Sequence, residues 1–378
     1  MFKRTLLVLL CFIITVACNS QNSQTELKKS ENSLDFNTFN DGRDSTAKVF
    51  RSTYEIRTAP ETWDITLVSQ TFTALDKSFS YLNRKKKRTH KVGNLSISDY
   101  QLLKANQSVK SWANGTSDKN LFEAVNAYQI AGEDNRGNVQ VTGYFIPIIQ
   151  VKRTKDEVYK YPLYKKPSSS KSRYSRKQID DNNALSGLGL ELCYSASLLD
   201  NFLMQVQGSG FVQYTDGTTQ LLSYGGENGH RYKSIGKYLV AAGHVPESKI
   251  SLEAIRVWCA ENPDSVTTLL NRNPSYVYFN TSEKEPSGAA GVALTGMVSV
   301  AVDKRYIPLG STLLAAVPVL DENDEFVGHE YRIVTAQDVG GAIKGKGRMD
   351  FFCGTGEAGE RRASAMKHYG KVWLLLPK

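Results

Sequence analysis

Two aspartates twelve positions apart raise the question of chemistry. They lie in Ala336-Gln337-Asp338-Val339-Gly340-Gly341-Ala342-Ile343-Lys344-Gly345 and its continuation Lys346-Gly347-Arg348-Met349-Asp350-Phe351-Phe352. Asp338 ends a predicted strand, and Gly340-Gly341 behind it lets the backbone turn tightly and approach a ligand. Met349 and Phe351 set apolar side chains on both sides of Asp350. An apolar wall desolvates an ionised carboxylate and raises its pKa, and a second carboxylate nearby acts in the same direction. A general acid at neutral pH requires a raised pKa. On spacing alone the same residues also suit a turn, since Asp and Gly both favour one.

Other chemistries find less support. The five His are scattered, and no C-x-x-C or His/Cys cluster has metal-ligand spacing, so neither a metal nor another cofactor is expected. Of the five Cys, Cys193, Cys259 and Cys353 lie far apart and form no disulfide framework. The net charge of +9, from 47 Lys plus Arg against 38 Asp plus Glu, suits an anionic partner. The basic runs Arg84-Lys85-Lys86-Lys87-Arg88 and Lys165-Lys166 with Lys171, Arg173, Arg176 and Lys177 carry no nucleic-acid signature and read first as solvated surface. Nucleic acid is not an expected partner.

These residues must be positioned by a fold. The chain has 378 residues, 40% hydrophobic and 22% charged, enough for two ordinary domains. Val68, Phe72, Leu75, Phe79 and Leu82 fall on one helical face in a pattern that begins at Pro60. A second helix is predicted behind Ser98-Asp99. A third follows Ser117-Asp118 and runs through Leu121, Val125 and Tyr128, making 50–131 mainly helical. From Gly137 to Tyr224 the texture turns to short β runs, such as Val139 to Phe145 and Phe211 to Tyr214. Helical signals return at 234–242, 251–260 and 264–271. Val298 to Val302, Thr312 to Val317, Tyr331 to Ala336 and Val372 to Leu376 are strand candidates.

Residues 1–18 are an address. Lys3 and Arg4 precede an apolar stretch, Leu6 to Val16, that is too short to span a bilayer. Thr15-Val16-Ala17-Cys18 resembles a lipobox with Thr in place of the usual Leu, which makes Cys18 the lipidation candidate; an ordinary cleaved signal is the other reading. Residues 19–46 are a polar tether. Asn19 after the cysteine points to lipid anchoring at the periplasmic face of the outer membrane.

Further stretches carry a resemblance. Val300-Ala301-Val302-Asp303-Lys304-Arg305-Tyr306-Ile307-Pro308-Leu309-Gly310 together with Asp338 and Asp350 resembles the three-aspartate domain of cell-wall enzymes. Val141-Thr142-Gly143-Tyr144-Phe145-Ile146-Pro147, Gln205 to Gly210, Ser223 to His230, Asn273 to Phe279 and His368 to Trp373 are similar to the lytic murein transglycosylase A family (MltA). The resemblance runs in order from about residue 120 to the C-terminus. Cys353, and an insertion at or near Gly347, depart from the pattern.

The resemblance implies a mainly β fold: a double-psi β-barrel domain with helical decorations, 47–144 and 284–378. A second β-rich domain, 145–283, is inserted, with a groove between the two. It implies cleavage of peptidoglycan glycan strands by a lytic transglycosylase, with Asp350 as the catalytic aspartate and Asp338 as its neighbour. Thr142, Gly143 and Tyr144 are candidates to bind sugar, or a strand entering the second domain. Gln207, Gly208 and Ser209 line the groove or form a polar turn. Ser223, Tyr224 and Asn228 hold a glycan or belong to a Gly-rich hairpin. Lys344 meets a substrate carboxylate or is a surface lysine. Asp303 is structural, tying the loop from Tyr306 to Gly310 through backbone N–H groups. An inverting hydrolase on the same barrel and a non-catalytic glycan-binding lipoprotein are the competing readings. No protein partner is legible.

Overall fold

Val139, Val141, Met349 and Phe351 are fully buried, and the residues between them are not. That period of two builds the wall of a barrel. The computed structural model describes residues 50–55, 64–84, 87–117 and 119–378. Cys18, the tether and Pro60 lie outside the described residues.

Six strands close on themselves in the order Lys367–Pro377, Thr312–Leu320, Phe326–Asp338, Ser299–Val302, Arg348–Thr355, Val139–Ile146. The ring closes because Lys367–Pro377 pairs with Val139–Ile146 at one end and Thr312–Leu320 at the other. Two pairings are parallel: Ser299–Val302 with Phe326–Asp338, and Arg348–Thr355 with Val139–Ile146. This is the double-psi barrel expected above. Val300, Val302, Leu313, Val334, Phe351 and Leu374 meet in its interior. Truncating a core side chain such as Phe351 to Ala costs about 3–5 kcal/mol.

The chain leaves the barrel after Ile146 and re-enters it at Ser299. In between it forms a second six-stranded sheet, from Ile148–Lys152 to Val277–Ser282. The helices Leu198–Gln207, Ile235–Ala241, Leu252–Glu261 and Val266–Leu270 share an apolar cluster around Phe202, Leu239 and Leu269. Arg256 braces this part against the barrel: it donates to Asp200 at 2.8 Å and to Glu360, on the helix Gly356–Ala365, at 3.1 Å.

The first two helices form at Gln70–Leu82 and Asp99–Ala113. Ser98 caps the second through a reciprocal capping box with Gln101. The third expectation is corrected. The helix Leu121–Ala124 is a single turn, and Val125–Ile130 is a strand. Val125 and Tyr128 suit a strand as well as a helix, and the exposed edge of Lys367–Pro377 supplies the partner that decides between them. Together with the hairpin Thr89–Val92 and Leu95–Ser98, this makes the region mixed rather than mainly helical.

Candidate active site

Parallel pairing of Arg348–Thr355 with Val139–Ile146 sets Asp350 opposite Thr142. Strand alternation turns both away from the core that takes Val141, Met349 and Phe351. The Thr142 hydroxyl donates to Asp350 Oδ1 at 2.7 Å. Burial pushes the Asp350 carboxyl up to about 6. The Thr142 hydrogen bond and the Arg348 charge oppose that rise, and Asp338 adds to it.

Asp338 stands at the end of the strand Phe326–Asp338 and is engaged on both oxygens. Tyr144 donates its hydroxyl to Oδ2 at 2.8 Å, and the backbone N–H groups of Ala289 and Val339 donate to Oδ1 at 2.9 and 2.8 Å. Burial raises its pKa against these three donors. Tyr144 is pushed well above the ordinary tyrosine value by burial and then by Asp338, so it stays a hydrogen-bond donor. Its ring lies 5.5 Å from that of Phe352.

Thr142, Tyr144, Asp338 and Asp350 therefore come together. Gly143 points the other way. A Cβ there would stand 2.6 Å from the Ala363 backbone and 2.8 Å from Cys353 Sγ, so its small size admits the helix Gly356–Ala365. A cleft of about 230 Å³ opens on that side, lined by Gly143, Phe145, Val206, Gln207 and Ala363 among others. It lies on the strand face opposite the carboxylates.

The remaining candidates take other places. Gln207 accepts from the Phe145 N–H at 3.4 Å. Gly208 caps the helix Leu198–Gln207 with φ 84°, a left-handed conformation that favours glycine, and Ser209 follows it half-buried. Ser223 donates to the Asn280 carbonyl at 3.2 Å. Tyr224 is exposed at a β-bulge, where the register shifts between Tyr224 and Gly226. Asn228 is a buried joint: it donates to the carbonyls of Tyr174 and Pro274 and accepts from the N–H groups of Tyr276 and His230. Its polar capacity is spent inside the protein, which leaves none for a glycan. Lys344 is exposed.

Asp303 is structural in its contacts, but its carboxylate does not reach Tyr306 to Gly310. The backbone carbonyl of Asp303 accepts from Tyr306 and Ile307. The carboxylate instead receives the Arg305 guanidinium, the Arg305 N–H and, at 2.9 Å, the Gly345 N–H. Burial works against its ionisation, yet these donors outweigh burial and hold the carboxyl down at about 2. It thus ties down the segment between the other two aspartates.

One neighbour escaped the sequence reading. Arg348 sits two residues before Asp350 on the same strand face, and its Nη2 donates to Thr142 Oγ1 at 3.3 Å. The alternation Arg348-Met349-Asp350-Phe351 carried the signal.

The comparisons agree with this geometry. A family model for the MltA specific insert domain matches residues 140–280, and a model for the 3D domain matches 298–376. The membrane-bound lytic murein transglycosylase A of Escherichia coli K12 is 43% identical over 274 residues, 71% of this chain and 74% of that protein. Among solved structures, E. coli MltA with bound chitohexaose superposes with a TM-score of 0.75 at 35% identity, covering 88% of this chain and 96% of that one. The membrane-bound lytic murein transglycosylase of Agrobacterium tumefaciens gives 0.67 at 26% identity, covering 81% and 92%.

Proposed function

The chain belongs to the membrane-bound lytic murein transglycosylase A family, and from that premise we propose that Asp350 alone serves as acid and then base. The protein is a lytic transglycosylase of peptidoglycan. In the proposed reaction the protonated Asp350 gives its proton to the oxygen between N-acetylmuramic acid and N-acetylglucosamine, and the bond from that oxygen to the anomeric carbon breaks. The muramyl 6-hydroxyl bonds to the anomeric carbon, and Asp350 takes its proton. The product is a 1,6-anhydro sugar, and no water enters. The nucleophile belongs to the substrate, so its effective concentration is high.

One observation supports a single acid over a pair. An inverting hydrolase needs a second carboxylate free to activate water. Both oxygens of Asp338 are already taken by Tyr144, Ala289 and Val339, which suits a group that orients the site. Mass spectrometry of muropeptides released from purified sacculi tests the reading. Products lacking one water are expected, and fully hydrated reducing ends would replace the transglycosylase by the hydrolase.

The same reading places the glycan in the groove between the barrel domain, 47–144 and 284–378, and the inserted domain, 145–283. Thr142 and Tyr144 face it beside Asp350, and the exposed ring of Tyr224 offers a stacking surface on the inserted part. The relatives are membrane-bound by name. Lipidation at Cys18 would hold this chain at the periplasmic face of the outer membrane through the tether 19–46. Cys18→Ser should move the protein from the membrane to the soluble fraction with its activity intact. Unchanged fractionation excludes the anchor.

A further inference from the structure

We propose that Arg348 is a positioning residue: by holding the Thr142 hydroxyl in one direction it places the labile proton of Asp350 on Oδ2, the oxygen free to meet the glycan. The inference rests on Asp350 being the acid.

A threonine hydroxyl has one hydrogen to donate and two lone pairs. Arg348 Nη2 donates to Thr142 Oγ1 at 3.3 Å, and an arginine cannot accept. The hydroxyl hydrogen must therefore go elsewhere, and Asp350 Oδ1 lies 2.7 Å away. With its direction fixed, Oδ1 is an acceptor whether the carboxyl is neutral or ionised. In the neutral acid the proton is left to Oδ2, which has no hydrogen-bond partner among the described residues. Without Arg348 the hydroxyl can turn, accept from a protonated Oδ1, and leave the proton pointing away from the scissile oxygen.

Two further observations favour a tuned arginine. Its Nε is buried without a hydrogen-bond partner. A desolvated donor is costly, and such atoms are rare without a compensating role. Its register partner on the neighbouring strand is the uncharged Gln140. The other groups bearing on Asp350 are few. Tyr144 faces it from the adjoining strand, Asp338 bears on it from the strand beyond Ser299–Val302, Cys353 lies further along its own strand, and Ala301 stands opposite it on Ser299–Val302. Lys367 pairs with Thr142 from the last strand and is exposed, and Arg362 bears on Cys353. Among these, Arg348 is the cation whose charge opposes the rise at Asp350.

Steady-state kinetics of Arg348→Gln, Arg348→Lys, Thr142→Val and the double variant test this, with a fluorescent or purified glycan substrate. Arg348→Gln should lower kcat by roughly tenfold, less than the about 10²–10⁴-fold that a whole general acid contributes, with KM held within about twofold. The acid must be protonated to act, and loss of a nearby positive charge raises its pKa. The alkaline limb of the pH profile should therefore move up, by about one unit. Arg348→Lys keeps the charge, so the limb should stay at its wild-type position, which a merely structural loss would not reproduce. Thr142→Val should lose as much kcat as Arg348→Gln, and the double variant should lose no more than either. A wild-type kcat and limb in Arg348→Gln, or full additivity in the double variant, overturns the inference. An Asp350→Asn enzyme that still cuts overturns the underlying reading instead, so the two failures are distinguishable.

Discussion

Asp303 and Asp350 are the same residue type on the same barrel, both removed from solvent, yet one is held down at about 2 and the other pushed up to about 6. Burial acts upward on both. The difference lies in how deeply each carboxyl is desolvated and in the number and charge of its donors. Asp303 receives a guanidinium and two backbone N–H groups, whereas Asp350 receives one neutral hydroxyl. Neutral donors alone do not reverse burial, since Asp338 with three of them is still raised; at Asp303 a guanidinium is added and the balance tips down. One carboxylate is thereby committed to structure and the other is left able to move a proton.

The largest expected effect breaks the reactive side of this contrast. Asp350→Asn keeps shape and loses both proton transfers. General acid–base groups contribute about 10²–10⁴-fold, and a residue that does both tasks should sit at the upper end. Release of anhydro-muropeptides is the readout, and near-normal rates would remove Asp350 from the mechanism. Asp338→Asn should be milder, roughly tenfold to a hundredfold, because it disturbs the orientation set by Tyr144 without removing the acid. A loss equal to that of Asp350→Asn would mark Asp338 as a second proton-transfer group and restore the hydrolytic scheme.

The structural side is tested by melting. A carboxyl at about 2 in the folded state and about 3.9 unfolded contributes at most about 2 kcal/mol at neutral pH, and less because solvent screens its exposed partner Arg305. This pKa is depressed, so the stability is present above pH 4 and is lost as pH falls through about 2. Asp303→Asn should melt lower than wild type at pH 7, with the gap closing between about pH 4 and pH 2. Equal melting at pH 7 would show that Gly345 and its segment are held by other contacts.

The smallest effect has the opposite sign. The folded pKa of Asp350 is raised, so its ionised form costs stability above the unfolded pKa. Asp350→Asn should therefore melt a few degrees higher than wild type at pH 8, and the gain should fade as pH drops through about 6 towards 4. A lower melting temperature at pH 8 would mean that the carboxylate is stabilising where it stands.

Sequence and structure part company in an instructive way. Asp350 could be singled out because its apolar neighbours, Met349 and Phe351, flank it in the chain itself. The barrel strands expected at 298–302, 312–317 and 331–336 were legible because their β-branched runs stand between turns, though the second runs on to Leu320 and the third spans Phe326–Asp338. Arg348 was not singled out, since its partner Thr142 lies across a parallel pairing that local pattern does not reveal. The strand Val125–Ile130 was misread for the same reason: its partner Lys367–Pro377 is supplied from the far end of the chain. Asn228 sits in a Gly-rich motif that suits a binding loop equally well, and only its four backbone partners in the fold reveal the structural joint it makes.

The hydrogen bond between Thr142 and Asp350 spans 208 positions, and the barrel is closed by its last strand, Lys367–Pro377. A wall-cutting enzyme built this way carries its own delay. As the chain emerges N-terminus first, Thr142 and Tyr144 appear long before the acid they serve, and the inserted domain can fold while the barrel is still open. The ring closes only when Lys367–Pro377 has paired with the strand that carries Thr142, so the pocket around Asp350 is among the last parts of the molecule to be completed.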